Sequence, residues 1–261
     1  MIRSLTTAAT GMIAQELRMN VTANNLANAS TTGFKRARAE FEELMTEKLV
    51  SANAPPTGQQ AAPSPLEVGL GVKVGATQRN FSRGDVLVTN NDMDVYIEGD
   101  GFLKVTRPNG TLAYTRAGNL RVDGQGRLVT QGGLPLDPPV EIPDDAKKVN
   151  IGRDGTVSAL TSARELPIDI GRIELATFIN PAGLEGAGQN LLTETAGSGP
   201  PNFVTPGELG SGTISQGALE NSNVKVVDEM IALVTTQRTY EMNSKVIQTA
   251  DQMLQKLSNL R

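Results

Sequence analysis

The sequence predicts an α+β protein in which terminal helices form a coiled-coil stalk and an antiparallel, mainly β domain is inserted between them. Three observations predict it. Near the start, Leu5, Met12, Met19 and Leu26 recur every seven residues. Ile2, Ala9 and Ala23 fall three residues ahead of three of them, with Glu16 as the polar exception. This 3–4 alternation is the a/d seam of a helix that packs along another helix. At the far end Val226, Leu233, Tyr240, Ile247 and Leu254 repeat with the same period, flanked by Ala250 and Leu257, and no Pro or Gly follows Gly217. Between the two, short runs of strand formers alternate with Asx-Gly pairs that signal tight turns.

Taken in order, residues about 3–29 read as helix. Near its end stand Asn24, Asn25 and Asn28, then Ser30-Thr31-Thr32-Gly33-Phe34. Asn is a poor interior helix residue because its amide competes for backbone hydrogen bonds. Two explanations fit: fraying into a Gly cap with Phe34 as the apolar contact that follows it, or amides that fasten the helix end to adjacent backbone. Residues 41–50 have helical spacing (Phe41, Leu44, Met45, Leu49), and 51–65 are rich in Ala, Pro, Gln and Ser, the composition of an extended connector. Strands are predicted at Val95–Ile97, Phe102–Thr106, Leu112–Thr115, Leu120–Val122, Leu128–Thr130, Val149–Ile151, Thr156–Leu160 and Ile173–Phe178. Turns fall at Asp100-Gly101, Asn109-Gly110, Asp123-Gly124 and Asp154-Gly155. Residues 180–216, rich in Gly, Pro, Ser and Thr, read as irregular loop. Ser222 or Asn223 suits the N-cap of a last helix on the order of 36 residues, roughly 55 Å long. The predicted boundaries are 1–38 for the N-terminal helix region, 39–67 for the connector, 68–216 for the β-rich domain and 217–261 for the C-terminal helix region.

Composition narrows the chemistry. The 261 residues suffice for one large or two modest domains. With 20% charged residues and a net charge of −4, nothing argues for broad affinity for nucleic acid or anionic membrane. The basic cluster Lys35, Arg36 and Arg38 is followed at once by Glu40, Glu42 and Glu43, as on a solvated or interface face. The chain holds no His and no Cys, which removes imidazole and thiolate metal sites, Ser-His-Asp triads and Cys nucleophiles. Lack of Cys leaves the redox compartment open. Asp92 and Asp94 have the spacing of a calcium loop, but Ile97 stands where that loop requires Gly, so hairpin turns explain the Asp-Gly pairs better. Gly69-x-Gly71 is only a fragment of a dinucleotide loop, and sequence cannot bring two carboxylates together on a glycosidase-like face. No cofactor, metal or catalytic residue is expected. Ser4, Thr6, Thr7, Thr10 and Gly11 interrupt any leader-like apolar run, and Glu16, Arg18, Asp228, Glu229 and Arg238 interrupt the helices as membrane spans.

From periodicity alone, the seams favour internal packing or a closed oligomer. A resemblance reverses that preference. Gly11 followed by Ala23-Asn24-Asn25-Leu26-Ala27-Asn28-Ala29-Ser30-Thr31-Thr32-Gly33-Phe34-Lys35 resembles the N-terminal signature of the bacterial flagellar rod and hook proteins. Gly217-Ala218-Leu219-Glu220-Asn221-Ser222-Asn223-Val224 resembles their C-terminal signature, as does the run from Gln237-Arg238-Thr239-Tyr240-Glu241 to Asp251-Gln252-Met253-Leu254. Stretches of the middle match as well, including Ala113-Tyr114-Thr115-Arg116, Ile151-Gly152-Arg153-Asp154-Gly155 and Thr177-Phe178, and the length suits a rod protein better than the longer hook protein. Thr6-Thr7 and Arg164-Glu165 depart from the pattern.

The resemblance implies a structural subunit that is not an enzyme. It would polymerise helically in the rod segment joining the proximal rod to the hook and transmit torque. The implied partners are copies of itself, proximal rod and hook-side flagellar proteins, the surrounding basal-body ring proteins and the flagellar type III export apparatus, with neither nucleic acid nor membrane insertion. The implied location is the periplasm-spanning rod, reached without a cleaved signal peptide. The subunit interface is expected to use Leu5, Met12, Met19, Asn24, Asn25, Leu26, Asn28, Gly33, Phe34, Val226, Leu233, Tyr240, Ile247 and Leu254. Isolated helices of this kind are marginal, so both ends are expected to be disordered until packed. A proximal rod component is the alternative within the family, and an extracellular adhesin or binding module the alternative outside it.

Overall fold

The computed structural model describes residues 2–50, 66–161, 166–208 and 210–259. The proline-rich stretch 51–65 and the pair Arg164-Glu165 lie outside them. Helix α1 (Ile2–Ala27) leads into strands β1 (Ala37–Glu43), β2 (Thr46–Val50), β3 (Leu66–Gly69) and β4 (Val72–Arg79). Then come β5 (Val86–Val88), β6 (Val95–Glu98), β7 (Phe102–Thr106), β8 (Leu112–Thr115), β9 (Arg121–Val122) and β10 (Leu128–Val129). Strands β11 (Ala146–Ile151), β12 (Thr156–Thr161), β13 (Ile168–Arg172) and β14 (Leu175–Thr177) precede a 3₁₀ turn at Pro181–Gly183. The rest is β15 (Glu185–Gly188), β16 (Leu191–Thr193), β17 (Asn202–Val204), β18 (Thr213–Gln216), β19 (Ala218–Glu220) and helix α2 (Val226–Asn259). They form two units, one of Met1–Leu26, Ala37–Gln78 and Lys225–Arg261, the other of Ala27–Arg36 and Arg79–Val224.

In the first, helical unit, α1 is accompanied by two antiparallel strand pairs, β1 with β4 and β2 with β3. The pairs run back along the helix. Ala37 is tied to Asn25, the Val72 amide donates to the Thr10 hydroxyl at 3.4 Å, and Arg3 reaches Glu47 at 2.8 Å. From Asn25 to Arg3 the helix advances about 33 Å at 1.5 Å per residue. From Ala37 to Glu47 a strand advances about 33 Å at 3.3 Å per residue. The equality explains how both ends can be pinned.

The helix predicted over 41–50 is therefore corrected to strand. Ala37, Ala39 and Phe41 are half-buried while Arg38 and Glu42 are exposed, closer to a period of two than to 3.6 although Glu40 is half-buried as well. Pairing supports it: Glu42 on β1 meets Lys73 on β4 at 2.8 Å, and the Leu44 amide donates to the Gly71 carbonyl at 2.9 Å.

Helix α2 starts later than its predicted cap. The Glu229 amide donates to the Lys225 carbonyl as the first turn closes, and Asn223 turns its side chain to other backbone instead. Asp228 and Glu229 in the first turn and Lys256 in the last complement the helix dipole.

The second, β unit, centres on a six-stranded antiparallel sheet in the order β15-β16-β8-β7-β14-β17, with a three-stranded sheet β11-β12-β13 and the pairs β10-β9, β18-β6 and β19-β5. The main core gathers Val95, Ile97, Leu103, Leu128, Val157 and Ile214 among others. A second cluster is aromatic: Phe102 meets Phe81 at 5.5 Å and Phe178 at 5.9 Å, and Tyr114 meets Phe178 at 4.8 Å, all edge to face. Residues 180–216 are not irregular throughout. They supply β15 to β18, and β16 and β17 pair with β8 and β14 of the large sheet. Runs of three or four residues among glycines carry too little periodicity to register as strands. Pairing partners far away in sequence create them.

Candidate functional site

The residues that carry both terminal signatures converge within the β unit. Past Ala27 the chain turns, the Thr31 amide donating to the Asn28 carbonyl, and reaches Gly33 with φ +70°. A Cβ there would lie 2.6 Å from backbone atoms of Arg116 and Ala117, so only glycine fits. The Gly33 amide donates to the Glu220 carbonyl at 2.8 Å. Next, Lys35 is buried and donates to a Glu220 carboxylate oxygen at 2.7 Å and to the Ser82 carbonyl at 2.8 Å. The Gly84 amide donates to the same carboxylate oxygen at 2.9 Å. Arg116, also buried, donates to the Gly101 and Gly99 carbonyls at 2.8 Å each, and its Nε lies 3.5 Å from the second Glu220 oxygen. Asn223 completes the knot, accepting from the Arg36 amide at 2.8 Å and donating to the Asn80 and Ser82 carbonyls at 2.9 and 3.0 Å.

Burial lowers Lys35 from its ordinary value, against the pull of Glu220 in the other direction, and burial likewise lowers Arg116. Lys35 Nζ and the two terminal nitrogens of Arg116 are spent on carbonyls or on Glu220, while Arg116 Nε and the second Glu220 oxygen face each other as an ion pair without a hydrogen bond. Its chemistry is that of a fastener, binding four separate stretches of chain (33–36, 80–84, 99–116 and 220–223) at one point.

In the helical unit Asn25 plays a comparable part. Its side chain accepts from the Ala37 amide at 2.9 Å and donates to the Ala37 carbonyl at 2.8 Å, and also donates to Glu229 of α2 at 3.2 Å. Here an amide fastens the helix end to adjacent backbone. Of the other predicted interface residues, Leu5, Met12, Met19, Leu26, Asn28, Phe34, Leu233, Ile247 and Leu254 are half-buried, Gly33 is buried, and Asn24, Val226 and Tyr240 are exposed. The residues on α2 that are closed off recur every seven but are small or polar: Glu229, Thr236 and Ala250 are buried, and Asn243 is half-buried. Open apolar residues lie elsewhere on α2, grouped in its first turns at Val227, Met230, Ile231 and Val234 and scattered further on at Met242, Val246 and Met253.

A cavity of about 230 Å³ in the β unit is lined by Ser30, Thr32, Thr115, Asn119, Gln131 and Asn190 among others, with no titratable side chain. It has no acid, base or nucleophile pair to offer. Among the described residues no cluster of three potential metal ligands occurs, and no helix is long and apolar enough to cross a membrane.

Three family profiles cover most of the chain in order. The flagella basal body rod protein profile matches residues 5–35, the flagellar hook protein FlgE/F/G D1 domain profile residues 96–159, and the flagellar basal body rod FlgEFG protein C-terminal profile residues 215–260. The flagellar basal-body rod protein FlgG of Buchnera aphidicola (from Schizaphis graminum) is 46% identical over the whole of both chains. That of Borreliella burgdorferi is 45% identical over 100% of this chain and 99% of its own, and that of Caulobacter vibrioides 43% over the whole of both. The chain belongs to the flagellar basal-body rod protein family. A flagellar hook protein FlgE from Helicobacter pylori is also similar, 41% identical over 51% of this chain but only 19% of its own length.

The residues of the two fasteners fall largely within the matched stretches: the rod-protein profile contains Asn25 and ends at Lys35, and the C-terminal profile contains Glu220, Asn223 and Glu229. The predicted interface did not include Lys35, Arg116, Glu220 or Asn223. A buried Lys–Glu pair is invisible when its members stand 185 residues apart in sequence. The exposed stripe of α2 was legible: Val227, Met230, Ile231 and Val234 have i, i+3, i+4, i+7 spacing, displaced around the helix from the seven-residue stripe.

Proposed function

We propose that the chain is the structural subunit of the distal rod of the flagellar basal body, adding helically to copies of itself and passing torque towards the hook. The observation that carries this is an apolar face of α2 that the chain itself leaves uncovered. Val227, Met230, Ile231 and Val234 stay open, Val227 by 68% and Ile231 by 58%. An apolar helix stripe is built to face a core, and the cover for this one comes from other subunits.

On this reading α1 and α2 form a coiled-coil stalk lining an inner tube, and the β unit contributes to an outer tube. The segment 39–67 bridges neighbours and stiffens the shaft. The predicted seam residues, from Leu5 to Leu26 and from Val226 to Leu254, then pack against neighbouring seams, and repetition of one heterologous contact gives an open helix. The rod spans the periplasm, meets the proximal rod, the hook-side proteins and the surrounding ring proteins, and its subunits travel through the type III apparatus. No observation favours an adhesin.

Assembly of the purified full chain, imaged by electron cryo-microscopy, tests the proposal. A hollow helical polymer with α2 at its inner wall is expected. A polymer with α2 facing outward, or a soluble closed oligomer that covers the stripe, would overturn it.

A further inference from the structure

Two contacts fix how α1 meets α2. Asn25 donates to Glu229 at 3.2 Å, and Gly11 approaches Asn243 so closely that a Cβ would lie 2.9 Å from its Nδ2. Fourteen residues separate the two points on each helix, and the order reverses, so the helices run antiparallel. The facing stripe on α2 is Glu229, Thr236, Asn243 and Ala250, repeating every seven residues. The seven-residue spacing alone does not define one register. A slide of one heptad, about 10.5 Å, would place Asn25 against Thr236 and Gly11 against Ala250 with little steric objection. Glu229 alone on that stripe is a carboxylate, and Asn25 meets it while both are 1% exposed.

We propose that Asn25 is the register key of the helical unit, selecting the one alignment of α1 on α2 that closes its amide onto Glu229. Its other bonds, to both backbone groups of Ala37, hold the amide in place and start β1 from the same point. One buried polar pair in a repetitive seam excludes slipped alternatives, because a slip strands a buried polar group. The inference rests on contacts within one chain and not on polymerisation, so it stands or falls separately from the proposed function.

The test uses the full chain, which has no Cys of its own. Gly11→Cys paired with Asn243→Cys is expected to crosslink with a short bis-maleimide, and Gly11→Cys paired with Ala250→Cys, in a chain that also carries Asn243→Ala to make room for the new Cβ, is not. Adding Asn25→Asp sets two carboxylates against each other. The second pair should then crosslink and the first weaken, and Glu229→Gln added to Asn25→Asp should restore the original pattern. Glu229→Ala leaves the Ala37 bonds intact and should also release the slip, which covers the case in which Asn25→Asp does not fold. A pattern unchanged by either Asn25→Asp or Glu229→Ala, or unrestored by Glu229→Gln, overturns the proposal.

Discussion

Lys35 is the residue on which the β unit's knot turns. Replacing it by Met leaves the Glu220 carboxylate buried with the Gly84 amide and the flank of Arg116, and removal of one partner of a buried ion pair costs about 3–5 kcal/mol. Lys35→Met is therefore expected to lower the unfolding free energy of the β unit, read from denaturant titration, by that amount, whereas Arg38→Met, whose partner Glu40 is on the surface, should change the stability of its own unit by at most about 1 kcal/mol. Equal effects would show that the knot is not a fastener. Tyr114 offers a spectroscopic check. Its ring is buried, its hydroxyl has no hydrogen-bond partner among the described residues, and burial, followed by the Glu194 and Asp137 charges, pushes it up to about 12. In the unfolded chain Tyr ionises near 10. Below pH 10 both states are neutral at this residue, and between 10 and about 12 the unfolded state alone gains stability by losing its proton. Tyr114→Phe should thus remove the last phase of tyrosinate absorbance and flatten the loss of stability between pH 10 and 12, at little cost at neutral pH.

Among the elements, β7 and β8 have the bounds read from sequence, because Phe102–Thr106 and Leu112–Thr115 are runs of strand formers bracketed by Asp100-Gly101 and Asn109-Gly110. Local chemistry alone specifies such strands. Strand β1 fails the same test: Phe41, Leu44 and Met45 suit one face of a helix, and only the length match to α1 and pairing with β4 make the segment extended. Asn25 was legible as an anomaly in a helix, but not its partners Ala37 and Glu229, which come from other elements. The strand pairs raise a question about 51–65, which joins β2 to β3. Deleting it is expected to leave a polymer that assembles yet bends more easily on electron micrographs, and unaltered curvature would remove the bridging role from the proposed function.

For the whole molecule, the decisive contrast is between the polar stripe of α2 closed within the chain and the apolar stripe left open. Ile231→Glu, on the open side, should abolish polymerisation while leaving the melting of the β unit unchanged, because that residue is outside the unit. Gln237→Glu, at an exposed polar position, is the matched control and should polymerise normally. Monomer helicity gives a further reading. If the ends fold only on packing, removing 1–38 and 222–261 should leave the circular dichroism of the monomer almost unchanged in helix signal, and a large loss would show them already folded.

The match between α1 and the strands beside it acts as a vernier with two unequal scales. Seven residues inserted in α1 lengthen it by about 10.5 Å, which β1 and β2 recover with about three residues and the return through β3 and β4 with three more. A relative that lengthened only its helix would pull Arg3 away from Glu47 or Asn25 away from Ala37. Viable insertions should therefore come in that ratio, roughly seven to three to three, and a chimera that exchanges α1 between rod proteins should carry its own strands with it.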